Sequence, residues 1–331
     1  MAAVRNSRLD GIKLLLIVLV VIGHCIEPSR YNNTISGSLY SVIYLFHMPL
    51  FVFLSGYFAK VNSFKEWREK GIRFIETFLV IMIPQFLFFR SWHVFLNPEN
   101  SGWYLMSLLW WYGILLFIKR VLPNMSAWGG VFLTVSASIL VFLLPLGNYG
   151  RLLSFNRTIQ MLPFFYGGYL CRNKGINLPL ELKKKKISMM LLILSGLIMA
   201  LLIVFSSRTL HVLEFYNVDV WSISNNCNLP VGSLLGMRAL LMIGAAVISF
   251  VIIDMVKMSD RLSTLGCSTL VIYVIQGILA HILPLLSPAN FYIELVIAFG
   301  ILLISIFLIR TVDCRYITNP ISTLLDKNKN K

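Results

Sequence analysis

The sequence repeats one unit: an apolar run long enough to cross about 30 Å of hydrocarbon, followed by a short polar segment. Ten such runs fall near residues 11 to 28, 39 to 59, 72 to 90, 102 to 119, 129 to 146, 158 to 172, 187 to 206, 233 to 255, 266 to 285 and 289 to 310. A chain that is 57% hydrophobic and 13% charged is too apolar for a soluble protein with an ordinary surface. The expected fold class is an all-α polytopic membrane protein, a bundle of about ten transmembrane helices forming one domain over residues 1–331, with no soluble domain appended. The sixth run is short and holds Pro163, Gly167 and Gly168, which predicts a bent or broken helix.

The net charge of +15 invites a nucleic-acid reading, but the basic residues cluster in short segments between apolar runs, so the charge reports orientation instead. With the N-terminus inside, 21 of the 29 Lys and Arg fall in inner segments and five in outer ones, which puts both termini in the cytoplasm. The run Lys183 to Lys186 reads as a contact for lipid headgroups. Five scattered cysteines show neither zinc nor disulfide spacing, and the first apolar run lacks a small-residue cleavage site, so it reads as a retained helix.

The first run carries two ionisable side chains, Lys13 and His24, eleven positions apart. Eleven helical steps return to the same face about 16 Å along the axis. Lys13 lies near the inner surface and can snorkel to it, whereas His24 needs a partner or a wet cavity. Glu27, one turn beyond, is placed to orient the imidazole, although its position near the surface equally suits a solvated carboxylate. In the second run His47 falls at a similar depth, beside Pro49; it reads either as a site residue or as a histidine bonded to the carbonyl that Pro49 frees.

On the inner side Lys65, Arg68, Lys70 and Arg73 gather at the start of the third run, near Lys13, a pattern that suits phosphates and equally an ordinary positive-inside loop. Phosphates held there, with reactive chemistry about 16 Å deeper at His24, match the shape of coenzyme A. The histidine would then take a proton from an acceptor hydroxyl arriving from outside. The outer segments 147 to 157 and 207 to 232 supply Arg151, Arg157, His211, Glu214, Asp219 and Trp221, a mixture suited to a polar, ring-bearing ligand or to a plain surface loop.

The motif Asp10-Gly-Ile-Lys13, ten residues, then His24, followed by Phe46-His47-Met48-Pro49 through Ser55-Gly56-Tyr57, resembles the membrane acyltransferase-3 family, and within it the branch similar to fucose 4-O-acetylases. Weaker matches lie at Lys70 to Pro84, Gly102 to Leu105, Leu162 to Tyr169 and Leu265 to Tyr273. The resemblance implies a ten-helix enzyme of the bacterial inner membrane that moves an acyl group, usually acetyl, from acyl-CoA to a hydroxyl of a surface or lipid-linked carbohydrate. Carried onto this chain it implies Lys13 and His24 as the essential pair, with Arg68, Lys70 and Arg73 as contacts for the donor's phosphates. Together with the residue reading above, the expected site is catalytic His24, Glu27 and His47, donor contacts at Lys13, Arg68, Lys70 and Arg73, acceptor contacts at Arg157, Trp103 and Trp221, and no metal or nucleic acid. Two departures stand out. Arg68 and Arg73 are five apart, where relatives often space two arginines by four, and Gln276 stands where many relatives have a histidine, leaving His281 to take that role or none. A carrier of polar solutes or lipid-linked sugars is the alternative, weakened by the lack of an internal repeat.

Overall fold

The computed structural model describes residues 6–98, 101–176, 178, 185–204, 213–256, 265–286 and 289–329. The described residues are helical, with no strand among them. The helices are α1 Ser7–Cys25, α2 Thr34–Tyr57, α3 Phe64–Phe89, α4 His93–Leu96, α5 Trp103–Val121, α6 Ala127–Leu143, α7 Phe155–Asn173, α8 Lys185–Val204, α9 Val220–Cys227, α10 Val231–Met255, α11 Thr269–Leu279, α12 Phe291–Thr311, α13 Cys314–Thr318 and α14 Pro320–Lys329. A helix therefore occupies each of the ten apolar runs. Lys183, Lys184, His211 and the side chain of Glu214 lie outside the described residues.

Local sequence sets where the helices start. Asn6, Asn33, Ser63, Ser126, Asp219 and Asn290 each accept a hydrogen bond from a backbone N–H in the first turn that has no partner within the helix. Burial is inverted relative to a water-soluble domain. Tyr292, Val296, Phe299, Leu303 and Phe307 expose one face of α12, and Met189, Ile193 and Leu197 one face of α8, while Ser36, Ser41, Ser107, Thr158 and Gln160 are shut inside. Ser107 Oγ lies 2.7 Å from Thr158 Oγ1, and Trp111 Nε1 donates to the Thr158 carbonyl at 2.8 Å. These bonds tie α5 to α7.

Five described helices, α2, α3, α5, α10 and α12, are long and apolar enough to cross a membrane. α1 carries Arg8, Asp10 and Lys13 in its first two turns and is not among them. The ninth run departs most from expectation: α11 ends at Leu279, and a turn leads into a 3-10 segment, Leu283–Leu286. Pro284 falls inside that 3-10 segment, where its missing N–H leaves the Ala280 carbonyl without an α-helical donor. This break is what brings His281 into the bundle.

The expectation of a broken sixth helix is corrected: α7 runs continuously through Pro163, Gly167 and Gly168. Close packing on α2 explains the glycine at 168. A Cβ at Gly168 would stand 1.9 Å from the Phe53 carbonyl oxygen, and one at Gly56 would stand 1.8 Å from that of Phe165. The two backbones touch at a pair of residues that have no side chain, as small residues allow in membrane bundles. Gly56→Ala and Gly168→Ala are each expected to cost at least about 1–3 kcal/mol by forcing the helices apart, lowering the thermal midpoint of detergent-purified protein by several degrees. Gly300→Ala, where an added methyl meets nothing, should leave that midpoint in place.

Candidate active site

The end of α1 and the turn after it build one wall of a cavity of about 260 Å³. His24 sits in the last turn of the helix, and its Nδ1 lies 3.7 Å from Glu27 Oε2 and 3.3 Å from the Tyr44 hydroxyl. The other oxygen of Glu27 pairs with Arg30 Nη1. One carboxylate thus sits between an imidazole and a guanidinium. The turn is held from behind by a buried network: Ser29 Oγ donates to the Glu294 carboxylate and lies 2.8 Å from Ser36 Oγ, which donates to the Ile26 carbonyl at 3.0 Å.

α2 supplies the next wall. Tyr40 stacks on Tyr44 at 3.9 Å between ring centres, Arg30 lies 4.9 Å over Tyr40, and Tyr44 meets His47 edge-on at 4.8 Å. His47 is buried, with Nδ1 2.6 Å from the Ile43 carbonyl. That carbonyl is one turn before His47 itself and is not the Leu45 carbonyl freed by Pro49, so the suggested bond to the Pro49 vacancy is corrected. A carbonyl only accepts, so Nδ1 carries the proton and Nε2 the lone pair.

The far side comes from α5, α7 and two 3-10 segments, Gly147–Ser154 and Leu213–Tyr216. Arg157 stacks over Trp103 at 5.1 Å and donates from Nε to Asn217 Oδ1. Leu153 and Ser154 both adopt left-handed φ, +47° and +61°, a strained kink of non-glycine residues that sits at the cavity beside Arg151. A second imidazole stands behind the first: the His281 ring is 4.7 Å from that of His24, and its Nε2 lies 2.7 Å from Ser101 Oγ. Gln276 also reaches Ser101, with Nε2 3.4 Å from Oγ.

The structure thus brings together His24, Glu27, His47, Trp103 and Arg157. It separates Trp221 from them: this side chain is exposed, and its indole N–H donates to the Leu143 carbonyl at 2.8 Å, tying α9 to α6 away from the cavity. The same 207–232 segment contributes Tyr216 and Asn217 in its place. Lys13 stands at the opposite end of α1, 3.0 Å from Asp10 Oδ1 and 4.3 Å over the Phe58 ring. On α3, Arg68 and Arg73 are exposed and Lys70 is half-buried, 5.1 Å over the Tyr112 ring. Tyr40, Tyr44 and Arg30 were missed by sequence reasoning. Their signal was present in the steps from Tyr40 to Tyr44 to His47 on one helix face and in the three-residue step from Glu27 to Arg30.

Helices throughout the described residues, with apolar faces outward and a polar, histidine-bearing cavity inside, make this an integral membrane protein. Residues 6–310 match the model of the acyltransferase domain known as acyltransferase-3. The chain belongs to that family, whose shared activity is acyl transfer within the membrane. It is also similar to two curated relatives, each named nodulation protein NolL. The one from Sinorhizobium fredii is 45% identical over 58 residues, 17% of this chain and 16% of the relative. The one from Mesorhizobium japonicum is 35% identical over 71 residues, 20% and 19% respectively. The chain thus covers less than a fifth of these relatives' length. No solved structure matches the chain significantly.

The cavity separates two tryptophans that the sequence had grouped. Trp103→Ala, which removes the platform under Arg157, is expected to lower acyl transfer by about tenfold or more through loss of an aromatic contact. Trp221→Ala should stay within about twofold, since an isolated neutral hydrogen bond near the surface contributes little. Initial rates of the two purified variants check the contrast.

Proposed function

We propose that the protein is an O-acyltransferase that takes an acyl group, acetyl by family resemblance, from cytoplasmic acyl-CoA and places it on a carbohydrate hydroxyl at the other face of a bacterial inner membrane. Ten spans with both termini cytoplasmic belong to this reading and rest on the distribution of basic residues. The observation that carries it is the pairing of His24 with Glu27 at one end of α1, inside a cavity, while Lys13 stands at the other end about 16 Å away.

In this reading Lys13, Arg68, Lys70 and Arg73 hold the phosphates of the donor. Trp103, Tyr40 and Arg157 hold the acceptor, whose ring faces suit aromatic walls. With the Nδ1 proton directed at Glu27 and the Tyr44 oxygen, His24 Nε2 keeps its lone pair. It takes the proton of the acceptor hydroxyl as that oxygen bonds to the acyl carbon; the carbon–sulfur bond breaks, and the imidazolium returns the proton to the departing thiolate. Glu27, anchored by Arg30, stabilises the imidazolium and fixes its ring. His47, held by Ile43, offers Nε2 as an acceptor for a neighbouring hydroxyl of the carbohydrate. In a variant of this route Nε2 attacks the acyl carbon itself and carries the group briefly before the hydroxyl takes it.

His24→Ala protein that folds and binds CoA is expected to lose about 10²–10⁴ in transfer rate, the usual contribution of a general base. Release of free CoA from acetyl-CoA in the presence of host glycan measures it. A folded His24→Ala variant working at the normal rate would refute the role.

A further inference from the structure

The register of α1 places Lys13 and His24 on one face, yet that face is closed between them, because Ile17 has no accessible surface and Val20 only 3%. An arm linking phosphates at Lys13 to a thioester at His24 therefore does not lie along α1. The neighbouring helix offers a line. α2 runs antiparallel to α1, with Tyr44 at His24 and Phe58 at Lys13. Between these points Met48, Phe51 and Ser55 keep accessible surface, while Leu50, Val52 and Leu54 are shut. The steps 44, 48, 51, 55 and 58 trace one helical stripe from the cavity to the Lys13 end.

One polar pair interrupts this apolar stripe. Ser55 lies about 12 Å along the helix from His47 and about 5 Å from Phe58, and its hydroxyl meets that of Tyr104 on α5. Both side chains are part-buried. Proton counting fixes what the pair can do. The Ser55 proton goes to the Phe51 carbonyl at 2.8 Å, so the Tyr104 proton goes to Ser55 Oγ. What remains is a set of lone pairs on two oxygens, which accept N–H donors and offer none. The pantetheine arm of CoA carries two amide N–H groups between its phosphates and its sulfur.

We propose that Ser55 and Tyr104 bind the amide N–H of the donor's arm, so that acyl-CoA lies along the α2 stripe against α5. This rests on the acyl-CoA reading given above. Under it the pair selects donors with an amide-bearing arm over simple thioesters.

The test uses the full-length protein in nanodiscs with Tyr104→Phe and Ser55→Ala, comparing CoA affinity and kinetics on acetyl-CoA with those on S-ethyl thioacetate, which has no amide. Tyr104→Phe is expected to raise the Kd for CoA and the KM for acetyl-CoA about 3- to 10-fold, the loss of one hydrogen bond, with kcat and the S-ethyl thioacetate rate unchanged. Ser55→Ala should shift the same constants in the same direction, and it decides the matter alone if Tyr104→Phe protein does not fold. Wild-type affinity for CoA in the folded variants, or equal losses on both donors, would overturn the proposal while leaving the acyl-CoA reading in place. Wild-type protein that neither binds CoA nor consumes acetyl-CoA would overturn both.

Discussion

The Glu27 carboxylate, shared between His24 and Arg30, is the contact on which the site depends. An imidazole at the end of an apolar helix is costly to keep unless something pairs with it and fixes its ring. Glu27 does both, and Arg30 holds Glu27. Behind them Ser29, Ser36 and Glu294 anchor the turn to α12, so the geometry at His24 is set by buried hydrogen bonds and not by a free loop. The stacked Tyr40 and Tyr44 then carry the same turn onto α2.

The second constraint is the approach of α7 to α2. Gly56 and Gly168 let backbone meet backbone, and His47 and Met48 on α2 and Arg157 and Met161 on α7 come to face one cavity. A bundle of apolar helices in lipid gains little from hydrophobic burial between helices, so close packing and internal hydrogen bonds must supply the specificity. The polar ties of Ser107, Thr158 and Trp111 between α5 and α7 are of this kind. They place Trp103, at the start of α5, under Arg157.

Much of this was legible in the sequence, and the reasons are local. Run length and the three-residue step from His24 to Glu27 are short-range signals, and each has its counterpart in the structure. What was not legible depends on partners distant in the chain. Gly167 and Gly168 read as a break because glycine lowers helix propensity, but Gly168 is there for a neighbour over a hundred residues earlier. Trp221 stood out by residue type, yet which side of the 207–232 loop faces inward is decided by where Phe215 and Val220 pack, and that chose Tyr216 and Asn217. The shared face of Lys13 and His24 was correct as helical register, whereas the packing of Ile17 and Val20 across its middle lies beyond any periodicity argument.

The central claim is that donor and acceptor approach opposite ends of α1 and meet at His24. Purified protein oriented in sealed vesicles tests it directly, with acetyl-CoA supplied only at the Lys13 face and the carbohydrate acceptor only at the face of the cavity. Acylated carbohydrate accumulating in the acceptor compartment, with free CoA released on the other side, is the outcome this account requires. Product formed only when both substrates share one compartment would contradict it.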